Sequence, residues 1–252
     1  MPMKAAVLYE PGTPLEVEDV TLDDPQENEI LVDLVATGVC HSDLHFMKGE
    51  MPQPLPFVPG HEGAGIVEKV GPGVTTVQPG DHVILMVAFS CGKCRYCLEG
   101  RPTMCVENLP IQMSGALPGG HTRLHKGDQT LRHLFGLACY AEKVVVHERS
   151  AVKVRDDAPL DICCVLGCGA STGIGAAINS TGLRPGESIA IFGCGGVGLS
   201  AVMGAKLANA GAIVAGMSPL TDKLTIAPFE FLLGKTITGT VQGDVIRSVI
   251  KM

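Results

Sequence analysis

The chain has 252 residues, of which 46% are hydrophobic and 18% charged, and its formal net charge is −7. This length is sufficient for two domains. Because the net charge is negative and the sequence has no basic run, we expect neither nucleic acid nor an anionic membrane as a partner.

Residues 1 to about 90 alternate between short apolar stretches and turns. Their length and composition are typical of strands, and Gly-Pro turns such as Gln78-Pro79-Gly80-Asp81 separate them. Strand character returns after residue 139. The predicted strands are residues 3–8, 15–22, 30–37, 64–70, 82–88, 140–147 and 151–154. The pattern predicts a small closed all-β body with loops at one end.

Residues 90 to about 138 show little regular patterning, so we expect a long loop. The loop contains four closely spaced cysteines, Cys91, Cys94, Cys97 and Cys105. This is a tetrathiolate spacing, which predicts a structural zinc site that supplies order in place of a hydrophobic core. The N-terminus lacks the pattern of a signal peptide. Clustered thiols without an export signal indicate metal ligands in a reducing compartment, so we expect a cytoplasmic protein.

A second set of candidate metal ligands comes from separate segments. Cys40 follows the apolar run 30–36 at a predicted strand-to-helix junction, and His61 and Glu62 lie between turn residues. Cys168 lies between two glycines, where the backbone can approach a metal closely. Thiolate, imidazole and carboxylate groups are zinc ligands. Taken singly, Cys40 and His61 are better explained as a buried thiol and a surface imidazole than as metal ligands.

The segments around these residues have the character of α/β structure. Residues 162–183 and 188–205 are uncharged and reach the length of a membrane span, but Gly, Ser, Thr and Asn interrupt both. We therefore interpret them as buried segments and expect no membrane association. A predicted helix over 161–166 precedes Cys168.

A glycine-rich turn joins a predicted strand at 188–192 to a predicted helix that runs to residue 209. In this position the pattern G-x-G-x-x-G is the dinucleotide-binding fingerprint, because its glycines let a pyrophosphate approach the helix N-terminus. The alternative is a βα turn without a ligand. The candidate cofactor-binding residues of the turn are Gly193, Gly195, Gly196, Val197 and Gly198.

Together these motifs resemble those of a zinc-dependent alcohol dehydrogenase of the medium-chain dehydrogenase/reductase superfamily. The resemblance covers residues 1 to about 209. The motifs are Gly-Val-Cys-His-Ser-Asp-Leu-His at 38–45, Gly-His-Glu at 60–62, the four-cysteine loop, Gly-Cys-Gly-Ala-Ser-Thr-Gly at 167–173 and the glycine fingerprint. The resemblance implies an α/β fold class, with a GroES-like β-barrel catalytic domain over residues 1–169. It also implies a truncated Rossmann-type dinucleotide-binding domain over residues 170–252.

The resemblance also implies a catalytic zinc, in addition to the structural one. Cys40, His61 and Cys168 would hold it, and Glu62 would be a nearby, occasional ligand. Asp43 would fix the tautomer of His61, a role that zinc sites commonly need.

The remaining implied roles concern the substrate and the cofactor, NAD. Ser42 would bond the substrate hydroxyl, and His45 would pass its proton to solvent through the cofactor ribose. His41 stands where the family often has an arginine against the pyrophosphate, and Thr172 and Val197 would line the nicotinamide.

The implied function is oxidation of a primary alcohol to an aldehyde with hydride transfer to NAD. One alternative is a thiol-dependent formaldehyde dehydrogenase, whose motifs overlap these. Another is a catalytically silent zinc-binding fragment, because the family pattern fails after Asn209. The strand predicted at 212–215 has no acid before Asp222, and a further strand is predicted at 235–240. The resemblance also implies a homodimer or homotetramer.

Overall fold

The computed structural model describes residues 1–181, 184–187, 189, 191–193 and 195–209, and three short strands at 213–214, 239–241 and 244–246. The chain divides into two compact units, of which the first spans Met1–Cys168 and the second begins at Gly169. The assignment of residues 1–169 to a catalytic domain and of 170–252 to a cofactor domain is a statement about function, and it stays a prediction.

The first unit, which is described throughout, consists mainly of two five-stranded sheets. Their orders are β1-β2-β7-β8-β4 and β10-β6-β5-β3-β9. The strands are β1 (Pro2–Val7), β2 (Glu16–Leu22), β3 (Glu29–Gly38), β4 (Phe57–Val58), β5 (Glu62–Val70), β6 (His82–Leu85), β7 (Leu124–Lys126), β8 (Gln129–His133), β9 (Lys143–His147) and β10 (Ala151–Lys153).

The first sheet curls until its outer strands meet. Backbone hydrogen bonds of 2.8 and 3.1 Å between Leu8 and Phe57 join the end of β1 to β4. Side chains along β1 alternate between buried and more exposed positions, as expected for a strand with one face on a core. That core also takes in Leu31 and Val145 from the second sheet. The predicted closed β body is therefore confirmed.

Short helices occupy the connections between these strands. They are α1 (His41–Met47), α2 (Arg95–Leu98), α3 (Asn108–Ser114) and α4 (Leu160–Cys163), with 3₁₀ turns at Pro102–Met104, Leu134–Gly136, Glu148–Ser150 and Cys164–Gly167. The helix α1 begins where Cys40 is still extended, with φ −96° and ψ 151°. There the Asp43 carboxylate accepts a hydrogen bond of 3.1 Å from the Cys40 N–H.

The expectation of a long loop over residues 90 to about 138 is wrong in its second half. Strands β7 and β8 form an antiparallel hairpin in which Lys126 pairs with Gln129. The two-residue turn between them begins with Gly127 at φ 56°, the left-handed conformation that tight hairpins require. The dipeptide Gly127-Asp128 was therefore a usable hairpin signal.

The second unit contains a strand, a helix and a second strand that pairs in parallel with the first. Its described elements are α5 (Gly169–Gly175), a π-helical turn (Ala176–Ser180), β11 (Ile191–Phe192), α6 (Gly196–Ala208), β12 (Ile213–Val214), β13 (Gly239–Val241) and β14 (Asp244–Ile246). Ile191 pairs with Ile213, so the predicted β–α–β arrangement is confirmed over these short strands.

The strand predicted at 235–240 is described only at its end. Where the structure describes it, at Gly239–Val241, it pairs antiparallel with Asp244–Ile246, in a sheet separate from that of β11 and β12. Residues 235–238, Cys194 and Asp222 lie outside the described residues.

Over the described part of the chain, no single helix is long and apolar enough to cross a bilayer. Among the described residues, the helical stretches Leu160–Gly167 and Gly169–Ser180 reach the required length and composition only when they are counted together.

Candidate functional site

Antiparallel pairing of β3 with β5 brings the first candidate ligands together. Gly38 at the end of β3 pairs with Glu62 at the start of β5. Cys40 leaves β3 at this edge of the sheet, and His61 enters β5 at the same edge. Cys168 follows the 3₁₀ turn Cys164–Gly167. Ligand atoms of Cys40, His61, Glu62 and Cys168 all lie within 4.8 Å of one another.

A buried carboxylate fixes the orientation of His61. Asp43, only 1% exposed, accepts hydrogen bonds at Oδ1 from His61 Nδ1 (2.9 Å) and from the Gly60 N–H (3.0 Å). Its Oδ2 accepts from the Cys40 N–H (3.1 Å) and from the Tyr140 hydroxyl (3.3 Å). The other ring nitrogen, His61 Nε2, is buried without a hydrogen-bond partner in the described structure. An imidazole held in this way presents one unpaired nitrogen, as a metal ligand does.

The electrostatics of the cluster favour positive charge at its centre. Burial alone would lower the pKa of His61, but the Asp43 carboxylate and the Cys40 sulfur together raise it to about 10. The adjacent Cys168 thiol lowers the pKa of Cys40, and the pKa of Cys168 is raised in turn by Cys40 and by burial. The donor set of two sulfurs, one nitrogen and a carboxylate fits zinc.

Helix α1 carries the residues predicted to move a proton. Ser42 is buried, with its Oγ 3.6 Å from Cys40 Sγ. His45 is also buried, and its Nδ1 is hydrogen-bonded to Glu50. This contact lowers the pKa of Glu50. His41 is exposed, and its ring lies 4.9 Å from that of His45. The catalytic roles of Ser42, Asp43 and His45, and the cofactor contact of His41, stay predictions.

Three further residues of this site, Glu50, Phe135 and Tyr140, were not predicted from the sequence. The Phe135 ring lies 5.0 Å from the His61 ring in an edge-to-face arrangement. Tyr140 reaches Asp43 across 97 positions of sequence. No local sequence pattern predicts the contacts of Phe135 and Tyr140, because both depend on how distant segments pack in the folded chain.

The four clustered cysteines form a second group of candidate ligands. The Sγ atoms of Cys91, Cys94, Cys97 and Cys105 lie within 4.8 Å of one another. The pKa of the Cys94 thiol is lowered by backbone N–H groups, and the N–H of Cys97 has the largest effect. This favours the thiolate that a metal needs. These two groups are the candidate metal clusters found among the described residues. The assignment of individual residues as zinc ligands stays a prediction.

The predicted cofactor residues lie in the second unit, apart from His41. Gly193 has φ +98° directly after β11, and Gly195 caps α6 in an extended conformation. Gly196, Val197 and Gly198 form the first turn of the helix. Thr172 lies on α5 and is half-buried. The geometry is that of a strand–turn–helix unit, whereas contact with a dinucleotide stays a prediction.

The central part of the chain matches a known protein family. Residues 26–156 match the model of the alcohol dehydrogenase GroES-like domain. This region is more than half of the chain. It contains Cys40, His61, Glu62 and the four clustered cysteines.

Curated relatives extend the similarity beyond this domain. An S-(hydroxymethyl)glutathione dehydrogenase from Synechocystis sp. is 45% identical over 95% of this chain and 63% of its own length. A protein of the same description from Escherichia coli O1:K1 / APEC is 43% identical over 85% of this chain and 58% of its own. The chain thus spans about three fifths of the length of the curated relatives that it matches.

Solved structures agree in fold. The structure of an alcohol dehydrogenase zinc-binding domain protein from Burkholderia ambifaria superposes with a TM-score of 0.80 at 41% identity, covering 87% of this chain and 60% of that one. Benzyl alcohol dehydrogenase from Acinetobacter calcoaceticus gives a TM-score of 0.79 at 39% identity, with 86% and 59% covered.

Proposed function

Because the chain belongs to the zinc alcohol dehydrogenases of the medium-chain dehydrogenase/reductase superfamily, we propose that it oxidises a primary alcohol to an aldehyde. In this reaction a hydride passes to NAD and a proton passes to solvent. The observation that carries the proposal is the cluster of Cys40, His61 and Cys168, in which a buried imidazole nitrogen has no partner.

In this proposal Cys40, His61 and Cys168 hold a zinc ion, with Glu62 beside them, and the four clustered cysteines hold another. When bound, the catalytic zinc would lower the pKa of an alcohol hydroxyl, and the nicotinamide would accept the hydride. Asp43 keeps the proton of His61 on Nδ1, so that Nε2 stays available as a ligand atom.

The proton of the alcohol leaves along helix α1. Ser42, buried next to Cys40, is placed to accept it, and in the predicted relay the proton reaches His45 through the cofactor ribose. The side chain of Glu50, which is 36% exposed and hydrogen-bonded to His45, gives the relay an exit to solvent.

A second candidate substrate is the adduct of formaldehyde with a low-molecular-weight thiol. It is favoured by the two relatives described as S-(hydroxymethyl)glutathione dehydrogenases. The benzyl alcohol dehydrogenase structure favours a simple alcohol. Both substrates carry a primary hydroxyl, so the same metal site and relay would serve either.

A competing proposal is zinc binding without turnover. It is motivated by the share of the relatives that the chain spans, 58–63%. It is also motivated by the sequence after the strand predicted at 212–215, which has no acidic residue before Asp222. In dinucleotide-binding folds, an acidic residue at the end of this strand binds the ribose.

The test combines metal content, NADH binding and turnover on the same preparation. We expect two zinc ions per chain, saturable NADH fluorescence, and reduction of NAD with benzyl alcohol or with formaldehyde plus glutathione. The Cys168→Ser variant is the control, and it should lose one zinc and all turnover. Two zinc ions with no NADH binding would favour the silent zinc-binding protein. Turnover that requires glutathione would select the thiol adduct.

A further inference from the structure

The segment Leu134 to Tyr140 has an unusual backbone. Phe135 has φ 56° and ψ 21°, and Ala138 has φ 67°. Residues other than glycine rarely adopt this left-handed conformation, because the Cβ atom crowds the backbone. Such strain persists only where surrounding contacts impose it, and it is concentrated at functional sites.

Backbone hydrogen bonds fasten this segment to the turn that presents His61. The Cys139 N–H donates to the Gly60 carbonyl (2.8 Å), and the Tyr140 N–H donates to the Pro59 carbonyl (2.9 Å). Since Gly60 directly precedes His61, the position of the imidazole depends on this junction.

Two side chains of the segment contact the His61–Asp43 pair from different directions. The Phe135 ring packs edge-to-face against His61 at 5.0 Å and against Phe46 at 5.1 Å. The Tyr140 hydroxyl donates to Asp43 Oδ2 at 3.3 Å, while Oδ1 of the same carboxylate holds His61. One contact restrains the imidazole ring, and the other restrains the carboxylate that orients it.

We propose that Phe135 and Tyr140 are positioning residues, and that segment 134–140 holds His61 in the orientation that a metal requires before the metal binds. The proposal rests on the proposed ligand role of His61. A preorganised ligand loses less conformational freedom on binding, so the restraint strengthens metal binding without contact with the metal.

The variants Tyr140→Phe and Phe135→Leu each remove one restraint. Tyr140→Phe keeps the ring and deletes only the hydroxyl, whereas Phe135→Leu keeps an apolar side chain and deletes the aromatic contact. The matched control is Tyr9→Phe, which removes a tyrosine hydroxyl that is bonded to a carboxylate, that of Glu18, elsewhere in the fold.

The first measurement needs no metal. In metal-free protein, the solvent exchange of the His61 Nδ1 proton is followed by nitrogen-15 NMR of the imidazole. We expect exchange to be about 3- to 10-fold faster in Tyr140→Phe and Phe135→Leu than in the wild type, as for loss of one modest contact, and unchanged in Tyr9→Phe. Unchanged exchange in both variants would overturn the proposal.

The second measurement titrates the full chain with Co²⁺ against a chelator and follows the absorption of each site. We expect affinity to fall about 3- to 10-fold at the Cys40–His61–Cys168 site, with the four-cysteine site unchanged as internal reference. Equal weakening of both sites would indicate general destabilisation and overturn the proposal. If the wild type binds metal only at the four cysteines while the exchange rates change as expected, the positioning role stands and the proposed function fails.

Discussion

At the scale of single residues, Asp43 has the most demanding position in the candidate site. Its two carboxylate oxygens accept from two backbone N–H groups, an imidazole and a phenol, all at 3.3 Å or less. A buried carboxylate is stable only when its lone pairs are satisfied in this way. Its charge in turn raises the pKa of His61, so one side chain fixes both the geometry and the electrostatics of the cluster.

Gly60 is the residue whose replacement should disturb this arrangement most directly. It has φ +87°, and a Cβ there would lie 2.4 Å from Tyr140 Cδ1 and 2.6 Å from the Tyr140 backbone nitrogen. We expect Gly60→Ala to lower the free energy of unfolding by about 2–4 kcal/mol, through backbone strain and overpacking. It should also lower zinc content by one ion per chain. Urea unfolding and metal analysis check both effects.

Gly80→Ala is the control, since Gly80 has φ +94° but open space where a Cβ would be. It should cost only the strain, about 1 kcal/mol, and leave the zinc content unchanged. If the two variants behave alike, the close approach of Tyr140 to Gly60 is not what determines the site.

His133 should make stability depend on pH. It is fully buried, and burial, with smaller contributions from Arg123 and Arg132, lowers its pKa to about 4 from an ordinary value near 6.5. The unfolded chain therefore takes up a proton as pH falls below 6.5, and the folded chain does so only near pH 4. Stability should be fully present above pH 6.5 and fall by about 3 kcal/mol between pH 6.5 and pH 4.

The measurement is urea unfolding of the wild type and of His133→Gln at several pH values between 7 and 4. A glutamine oxygen can still accept the hydrogen bond that His133 Nε2 accepts from the Arg123 N–H, at 3.1 Å. The profile of the variant should be flatter by about the predicted 3 kcal/mol. Parallel profiles would show that His133 does not cause the acid sensitivity.

At the scale of secondary structure, the regular strands were predictable and the irregular connections were not. Alternation of apolar residues located β1, β3 and β5 to within two residues at each end. The short helices α2 and α3 have no apolar periodicity because they bury almost nothing, and their positions follow from the four cysteines and from packing. The hairpin β7–β8 was missed because its signal is only two residues long.

The turn between β11 and α6 in the second unit yields a prediction at the same scale. A Cβ at Gly198 would lie 1.8 Å from the Gly193 carbonyl oxygen, whereas one at Gly196 would meet nothing within 4 Å. We expect Gly198→Ala to open the turn between β11 and α6 and to weaken NADH binding about 10-fold or more, since the glycines allow close approach of the pyrophosphate.

NADH fluorescence titration and thermal unfolding of Gly198→Ala and Gly196→Ala check this. Gly196→Ala should not lower the unfolding temperature, because its Cβ meets no other atom and alanine is a better helix former than glycine. Equal NADH affinity in wild type and Gly198→Ala would argue against a dinucleotide at this turn.

At the scale of the whole molecule, the candidate metal ligands could be predicted from the sequence, but the residues that surround them could not. Cys40, His61 and Cys168 have characteristic neighbours in sequence, so they could be proposed as a group, and the fold brings them together. Phe135 and Tyr140 have no such neighbours. Their contacts with His61 and Asp43 arise because a strained segment after β8 packs against the turn before β5, which only the assembled barrel determines.

Removal of metal should affect the two clusters differently, because only one of them lies on a well-packed core. The segment around the four cysteines, residues 91–109, is here called the four-cysteine lobe. Its helix α2 buries no side chain, and Leu98 and Leu109 are 75% and 64% exposed. Little apolar burial supports this lobe, so we expect its order to depend on zinc. Asp43 and His61, by contrast, are held by the barrel, whose sheets have their own buried cores.

Two single variants separate these contributions. Cys105→Ser should lose one zinc ion and the hydrogen-exchange protection of residues 91–105, while the barrel strands stay protected because their apolar contacts are intact. Cys168→Ser should also lose one zinc ion but leave the lobe protected. Metal analysis and hydrogen-exchange mass spectrometry on both variants measure this. If Cys105→Ser keeps the lobe protected, local packing and not the metal orders it. If Cys105→Ser instead removes protection from the barrel strands, the barrel itself depends on the lobe.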